Sequence, residues 1–273
     1  MGEIEAAIKI EKLEKTYVTQ DGASIRALGP VSMTVCPHEF VSIVGPSGCG
    51  KSTLLKIVAG LIPLSCGTVK IRDENVTAPR PDVGIIFQSP VLLPWKTILE
   101  NVLLPIKVRK HSVADFTERA MDLIRLVGLE GFHGKYPNEL SGGMQQRAAI
   151  VRALVGNPDI LLMDEPFGAL DAITRDQMNL ELLAIWARTR KTVLFITHGI
   201  SEAVFLSDRV IVLGSRPGLI IEDLVVDLPR PRVIEHMTIP AFSDATNRIR
   251  LALERGAVFN SAIDSKTTAE PRI

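Results

Sequence analysis

Eight residues constrain the fold of this chain more than any other stretch: Gly45-Pro46-Ser47-Gly48-Cys49-Gly50-Lys51-Ser52. They meet the pattern Gly-x-x-x-x-Gly-Lys-[Ser/Thr]. The preceding Val41-Ser42-Ile43-Val44 is apolar and β-branched, as a buried strand is. The following Thr53-Leu54-Leu55-Lys56-Ile57-Val58-Ala59 reads as a helix that stops at Gly60. Glycines let the backbone fold close around an anion. The amide N–H groups then converge on it at the positive end of the helix dipole. In such a loop Lys51 reaches the β- and γ-phosphates of a nucleotide, and the Ser52 hydroxyl ligates Mg²⁺. The loop alone does not separate an ATPase from a kinase or a GTPase.

A second strand narrows the chemistry. Ile160-Leu161-Leu162-Met163 is fully apolar, which suits a strand buried on both faces of a parallel sheet. Asp164 and Glu165 follow at its carboxyl end, where open α/β sheets bind their ligands. Asp164 is placed to hold Mg²⁺, directly or through water, and Glu165 to polarise an attacking water. Between the two strands stands Leu140-Ser141-Gly142-Gly143-Met144-Gln145-Gln146-Arg147. Ser141 can cap a helix running from Met144 to about Val155, and that helix start is another anion site.

In this order the three elements resemble the nucleotide-binding subunit of ATP-binding cassette (ABC) transporters, over about Ile8 to Val226. The resemblance implies that ATP and Mg²⁺ bind at Gly45 to Ser52 and Thr53. It also implies that Ser141, Gly142 and Gly143 cap the γ-phosphate of ATP held by a second copy. Four further positions match. Gln88, after Val83-Gly84-Ile85-Ile86-Phe87, resembles the glutamine that touches Mg²⁺ and senses the membrane subunit. Asp171, in Gly168-Ala169-Leu170-Asp171, resembles the loop that crosses the dimer interface. His198, after Val193-Leu194-Phe195-Ile196-Thr197, resembles the switch histidine on the γ-phosphate. Tyr17 resembles the aromatic residue stacked on adenine.

Two positions depart from the family pattern. Gly199 stands where aspartate usually follows the histidine, which puts a supporting hydrogen bond of that loop in question. His38-Glu39 replaces Gly-Glu before the first core strand, and histidine is strained there if the backbone needs a positive φ.

Leu93-Pro94-Trp95-Lys96-Thr97-Ile98-Leu99-Glu100-Asn101-Val102, Asp164 to Ala172 and Val212-Leu213-Gly214-Ser215-Arg216-Pro217-Gly218 resemble the nitrate, sulfonate and taurine importer branch. The resemblance therefore implies an ATPase working as a homodimer that powers import of a small solute. Its partners are permease subunits docking near Leu92 to Lys96 and, indirectly, a solute-binding protein. An export ATPase of the same class is the nearest rival. A soluble ABC protein acting on nucleic acid or ribosomes would carry a second cassette or long charged insertions, which this chain lacks. A non-hydrolysing nucleotide sensor would lack a catalytic group, yet Lys51, Gln88, Asp164, Glu165 and His198 are all present.

Charge supports no nucleic-acid partner: Lys plus Arg equals Asp plus Glu at 31 each. The longest uncharged runs, Ile57–Val69 and Val83–Trp95, both contain proline. Each is well short of the roughly twenty residues of a spanning helix. The N-terminus reads as no secretion signal. The expected location is the cytoplasmic side of the cell membrane, attached peripherally through a partner. Cys36, Cys49 and Cys66 show no metal spacing and are expected as reduced thiols. Cys49 lies beside Lys51 and a helix N-terminus, both of which lower a thiol's pKa. On that basis a maleimide is expected to inactivate the protein, and ATP to protect it.

The expected fold is α/β: a P-loop NTPase core, mainly a parallel sheet flanked by helices, with an N-terminal antiparallel β-subdomain and an inserted helical subdomain. The cassette is expected over 1–226, with the core at 1–88 and 156–226 and the helical subdomain at 89–155. Gln20-Asp21-Gly22 marks a hairpin in the N-terminal part. Thr97-Ile98-Leu99-Glu100 is a capping box, and a helix is expected over about Val113 to Val127, ending at Gly128. Residues 227–273 read as an extension: a stiff link Pro229-Arg230-Pro231-Arg232, one helix from Ser243 to Arg255, and a polar mobile tail from Ser261.

Overall fold

A computed structural model describes residues 6–267 of the chain. The first elements are strands β1 (Ile8–Val18), β2 (Ser24–Val35) and β3 (Phe40–Val44), then helix α1 (Lys51–Val58). Strands β4 (Cys66–Ile71), β5 (Glu74–Asn75) and β6 (Val83–Ile86) follow. Next come helices α2 (Ile98–Val102), α3 (Leu104–Val108), α4 (Ala114–Leu126) and α5 (Gly142–Leu154). Strand β7 (Ile160–Asp164), helix α6 (Ala172–Thr189), strand β8 (Thr192–Ile196) and helix α7 (Ile200–Leu206) continue the chain. Strands β9 (Arg209–Leu213) and β10 (Ile220–Val225) and helix α8 (Pro240–Thr267) complete it. Two compact units result, one of residues up to Ala78 and from Phe195 onward, the other Pro79–Leu194.

In the first unit β1 pairs antiparallel with β2 and with β4, and β4 pairs with the short β5. The hairpin turn closes at Thr19 and Ala23 over Gly22, whose φ is +82°. In β2 buried and exposed residues alternate from Gly29 to Val35, so one face of this sheet is covered. Where β1 bulges at Lys12, Gly67 comes so close that a Cβ would stand 2.3 Å from the Lys12 carbonyl oxygen. β3 is buried at every residue and pairs in parallel with β9, with Val44 opposite Val212. β10 adds to β9 antiparallel. Phe40 and Phe195 pack their rings in the core, tilted, with centroids 5.8 Å apart.

In the second unit β6 pairs in parallel with β7, with Ile86 opposite Met163. Gly84 is required there, because a Cβ would lie 2.9 Å from the Ala153 carbonyl oxygen. The capping box at Thr97 and Glu100 opens α2, with both reciprocal bonds formed. Ile98, Val102, Ile106, Ala120, Ile124, Val151 and Leu154 form the buried faces of α2 to α5. Arg119 donates to Val155 O and Asn157 Oδ1 at 3.0 Å each, satisfying the end of α5.

Parallel strands with helices between them, together with an antiparallel β layer, are the α/β class that the sequence predicts. No helix among the described residues is long and apolar enough to cross a membrane. The C-terminal part differs from expectation. Helix α8 begins at Pro240 and runs to Thr267, so residues 261–267 are helical, and 268–273 lie outside the described residues. The helix opens earlier because proline suits its first position, and the run Ile249 to Glu254 holds good helix formers. The Pro229–Arg232 link is also tied down. Arg230 bonds Asp208 at 2.7 Å, and buried Arg232 donates to Val204 O and Ser207 O at the end of α7. Burial holds the Arg232 guanidinium down to about 10.

Candidate active site

The first unit builds the phosphate loop. Buried β3 delivers the chain to Gly45, where a Cβ would stand 2.8 Å from both Leu213 O and Cys49 Sγ. Gly48 has φ +75° and Gly50 φ +100°, in the left-handed region that L side chains avoid. At Gly50 a Cβ would also meet the Ala27 carbonyl oxygen at 2.7 Å. Gly50 is the N-cap of α1, and Lys51, Ser52 and Thr53 fill the first turn. Lys51 is only 6% exposed, and its ammonium donates to Gly45 O at 2.8 Å and Pro46 O at 3.0 Å. The first unit thus brings together backbone amides, a helix N-terminus and one buried cation, the elements of an anion site. Tyr17 reaches this loop too: its hydroxyl is 3.5 Å from Thr53 Oγ1, and Lys15 lies 5.0 Å above its half-exposed ring.

Cys49 behaves differently from its sequence context. Its side chain is buried in the core, and burial pushes the thiol above its ordinary value against the opposing effect of Lys51. Neighbouring charge predicts an activated thiolate; desolvation outweighs it here.

His198 lies in the same unit, between β8 and α7. Gly199, in place of the usual aspartate, is the N-cap residue of α7. Its N–H donates to Thr197 Oγ1 at 2.9 Å, and the Thr197 hydroxyl in turn donates to Glu202. The Gly199 N–H is thus held by Thr197, whose hydroxyl is in turn held by Glu202, a residue the sequence pattern does not single out. His38 does carry a positive φ, +64°, so the family's glycine is replaced at a left-handed position. Glu39 stabilises that turn by accepting from Cys36 N at 2.8 Å and from Arg209 Nη1 at 2.7 Å.

The second unit holds the other predicted residues. Asp164 ends β7, and Glu165 follows with φ +45°, a strained conformation of the kind that clusters at functional sites. The chain turns back at Gly168, whose N–H donates to Glu165 O at 3.0 Å. A Cβ at Gly168 would lie 3.4 Å from the Gln88 amide nitrogen and 3.6 Å from a Glu165 carboxylate oxygen. Gln88 and Glu165 therefore converge on one glycine. Buried Gln146, on α5, donates to Phe87 O at 3.4 Å and links the Leu140–Arg147 segment to the strand end before Gln88.

Ser141 caps α5, accepting from Met144 N at 3.3 Å; the helix starts at Gly142, two residues earlier than predicted. Asp171 caps α6 by accepting from Thr174 N at 3.0 Å and from its hydroxyl at 2.7 Å. Those bonds hold the Asp171 carboxyl below its ordinary value. The two helix starts are neighbours, since a Cβ at Gly143 would touch Thr174 Cγ2 at 3.6 Å. Ser141, Gly142 and Asp171 are not buried.

Leu92 to Lys96 form a loop between Gln88 and α2. Buried Asn101 pins it, accepting from Leu93 N at 2.7 Å and donating to Leu93 O, Lys96 O and Thr97 O at 3.0–3.1 Å. Arg152 adds bonds of 2.7 Å to Pro90 O and Val91 O. On this fixed loop Trp95 is 69% exposed and Val91 59%.

Residues 28–168 match the protein family described as ABC transporter. The chain is 42% identical to the taurine import ATP-binding protein TauB of Rhizobium johnstonii, over 96% of this chain and 100% of that one. It is 38% identical to the aliphatic sulfonates import ATP-binding protein SsuB of Bacillus cereus, over 94% and 99%. Among solved structures it resembles a dimeric ATP-binding cassette in a post-hydrolysis state with ADP and Pi. That likeness has a TM-score of 0.70 and 35% identity, covering 81% of this chain and 100% of that one.

Proposed function

The chain belongs to the ABC transporter family and is an ATP-binding, ATP-hydrolysing subunit of an import system; on that premise we propose that its solute is a small anion such as taurine or another sulfonate, and that its site residues divide the work of hydrolysis. The solute assignment is supported by full-length likeness to TauB and SsuB. Selection of the solute is left to a binding protein and a permease, because no role in solute recognition is assigned to these residues.

Lys51 and the amides of Gly45 to Thr53 bind the polyphosphate, and Tyr17 stacks on the adenine. The donors we propose for Mg²⁺ are the Ser52 hydroxyl, the Gln88 amide oxygen and the Asp164 carboxylate, hard oxygen ligands that suit this ion together with phosphate and water. When bound, Mg²⁺ neutralises charge on the β- and γ-phosphates. Glu165 orients the attacking water and holds its proton, and His198 supports the γ-phosphate. Ser141, Gly142 and Gly143 serve the nucleotide of a second copy, with Asp171 at the same interface. Their exposure on capped helix starts supports that role. The observation that carries hydrolysis, as distinct from binding, is Glu165 in a left-handed conformation beside Gln88 at Gly168.

The permease is proposed to dock on the Leu92–Lys96 loop with Trp95 as its anchor, at the cytoplasmic face of the membrane. An exposed tryptophan on a pinned loop is the form of an interface hot spot. A tagged Glu165→Gln chain, incubated with Mg-ATP and native detergent-solubilised membranes, tests the whole reading. A co-purifying multi-helix permease supports it, and recovery of soluble proteins or RNA alone overturns it.

A further inference from the structure

The loop after β9, Gly214-Ser215-Arg216-Pro217-Gly218, has no part in the chemistry above, yet it is bound into the phosphate loop on two sides. β9 runs parallel beside β3, so both loops leave the same end of the sheet. Gly218 lies against the phosphate loop so closely that a Cβ would stand 2.1 Å from the Cys49 carbonyl oxygen. Its N–H donates to Ala27 O at 3.2 Å, and its carbonyl accepts from Gly29 N at 3.0 Å. These contacts hold the backbone, and the backbone aims Arg216. The exposed Arg216 side chain lies over Gly48: Nε donates to Gly48 O at 3.2 Å, and Nη2 is 3.1 Å from where a Gly48 Cβ would be.

We propose that Arg216 is a positioning residue of the nucleotide site, which latches Gly48 in its left-handed conformation and adds a permanent cation beside the polyphosphate. The inference rests on the ATPase reading. A guanidinium stays charged at any working pH and presents donors in a rigid fork, so one nitrogen can hold the Gly48 carbonyl while the rest of the fork raises the local positive potential. Lysine retains the charge but not the fork. Gly218 is the matching requirement on the backbone, since any side chain there would push the latch off the loop.

Calorimetric titration of the full chain with Mg-ATP, at low and high salt, tests this alongside steady-state ATPase assays. For Arg216→Ala the expected result is about tenfold weaker ATP binding and a similarly raised KM, a flatter salt dependence, and kcat at saturating ATP within about twofold. Arg216→Lys should keep the wild-type salt dependence yet bind about threefold more weakly, because charge survives and the fork does not. Wild-type affinity in Arg216→Ala, or lost kcat at unchanged affinity, overturns the latch. Full affinity in Arg216→Lys overturns its geometric half. Lys51→Ala is the control: if the wild type binds no ATP, or Lys51→Ala binds as well as the wild type, the ATPase reading itself fails.

Discussion

The Lys51 ammonium donates to the Gly45 carbonyl oxygen at 2.8 Å, closing the phosphate loop from its last turn back to its first residue. A buried cation satisfied by backbone carbonyls needs little rearrangement to meet a phosphate. Lys51→Ala should therefore lower ATP hydrolysis at least about 100-fold, since it removes the proposed charge-assisted contact to the reacting phosphates. It should also cost about 1 kcal/mol of stability, because the Gly45 carbonyl loses its Lys51 donor while the Pro46 carbonyl keeps the Cys49 N–H at 3.4 Å. Phosphate release and a denaturant titration measure the two effects.

Glu165→Gln keeps the shape of the side chain and removes its basicity. Hydrolysis should fall by about 10²- to 10⁴-fold, with ATP affinity held within a few-fold. Size-exclusion chromatography should show an ATP-dependent dimer that persists in the variant. Wild-type turnover would remove Glu165 from the proposed mechanism.

Cys49 should be the slow thiol. Timed maleimide labelling read by mass spectrometry should modify exposed Cys66 before buried Cys49. The linkage has a definite sign: an acid whose folded pKa is raised keeps its full stabilising contribution below its unfolded value of 9.0 and loses it as pH rises. Stability should decline above pH 9 more in the wild type than in Cys49→Ala.

His38 occupies φ +64° on a turn already held by Glu39 and Arg209. His38→Gly should stabilise the fold by about 1 kcal/mol, the left-handed penalty of an L residue less the added freedom of the unfolded chain. A rise in thermal midpoint without change in KM is the expected result. A lower midpoint would show that the imidazole contributes more than its backbone strain costs.

Trp95→Ala should leave the ATPase of the isolated chain unchanged and lose co-purification with the permease. Asn101→Ala, which removes four bonds to the same loop, should weaken docking while Trp95 is intact. Equal recovery of permease by the Trp95 variant would move the interface elsewhere.

Much of the site is legible in the chain because its determinants are local. The glycine pattern at Gly45 to Ser52, the Thr97–Glu100 capping box and the Ser141 cap all act within a few residues, through backbone conformation and i to i+3 hydrogen bonds. An apolar run ending in Asp164-Glu165 is likewise a statement about one strand and its end. The length of α8 was not legible, because Gly256 and the weak helix formers Val258, Phe259, Asn260 and Ser261 indicate a stop near Arg255 that the helix passes.

Other features depend on which distant residues the fold sets side by side. The thiol of Cys49 is next to Lys51 in sequence, and charge alone predicts activation; burial in the core reverses the direction. Nothing at Gly199 indicates that Glu202 brings support through Thr197, and nothing around Gly48 indicates that Arg216, far along the chain, lies over it. The sequence by itself determined which residues form the phosphate loop and the carboxylate pair at the end of β7, since side-chain type and short-range backbone sterics suffice for that. Tertiary structure alone decided solvation and long-range contact, because desolvation and hydrogen bonds between remote segments exist only once the chain is packed.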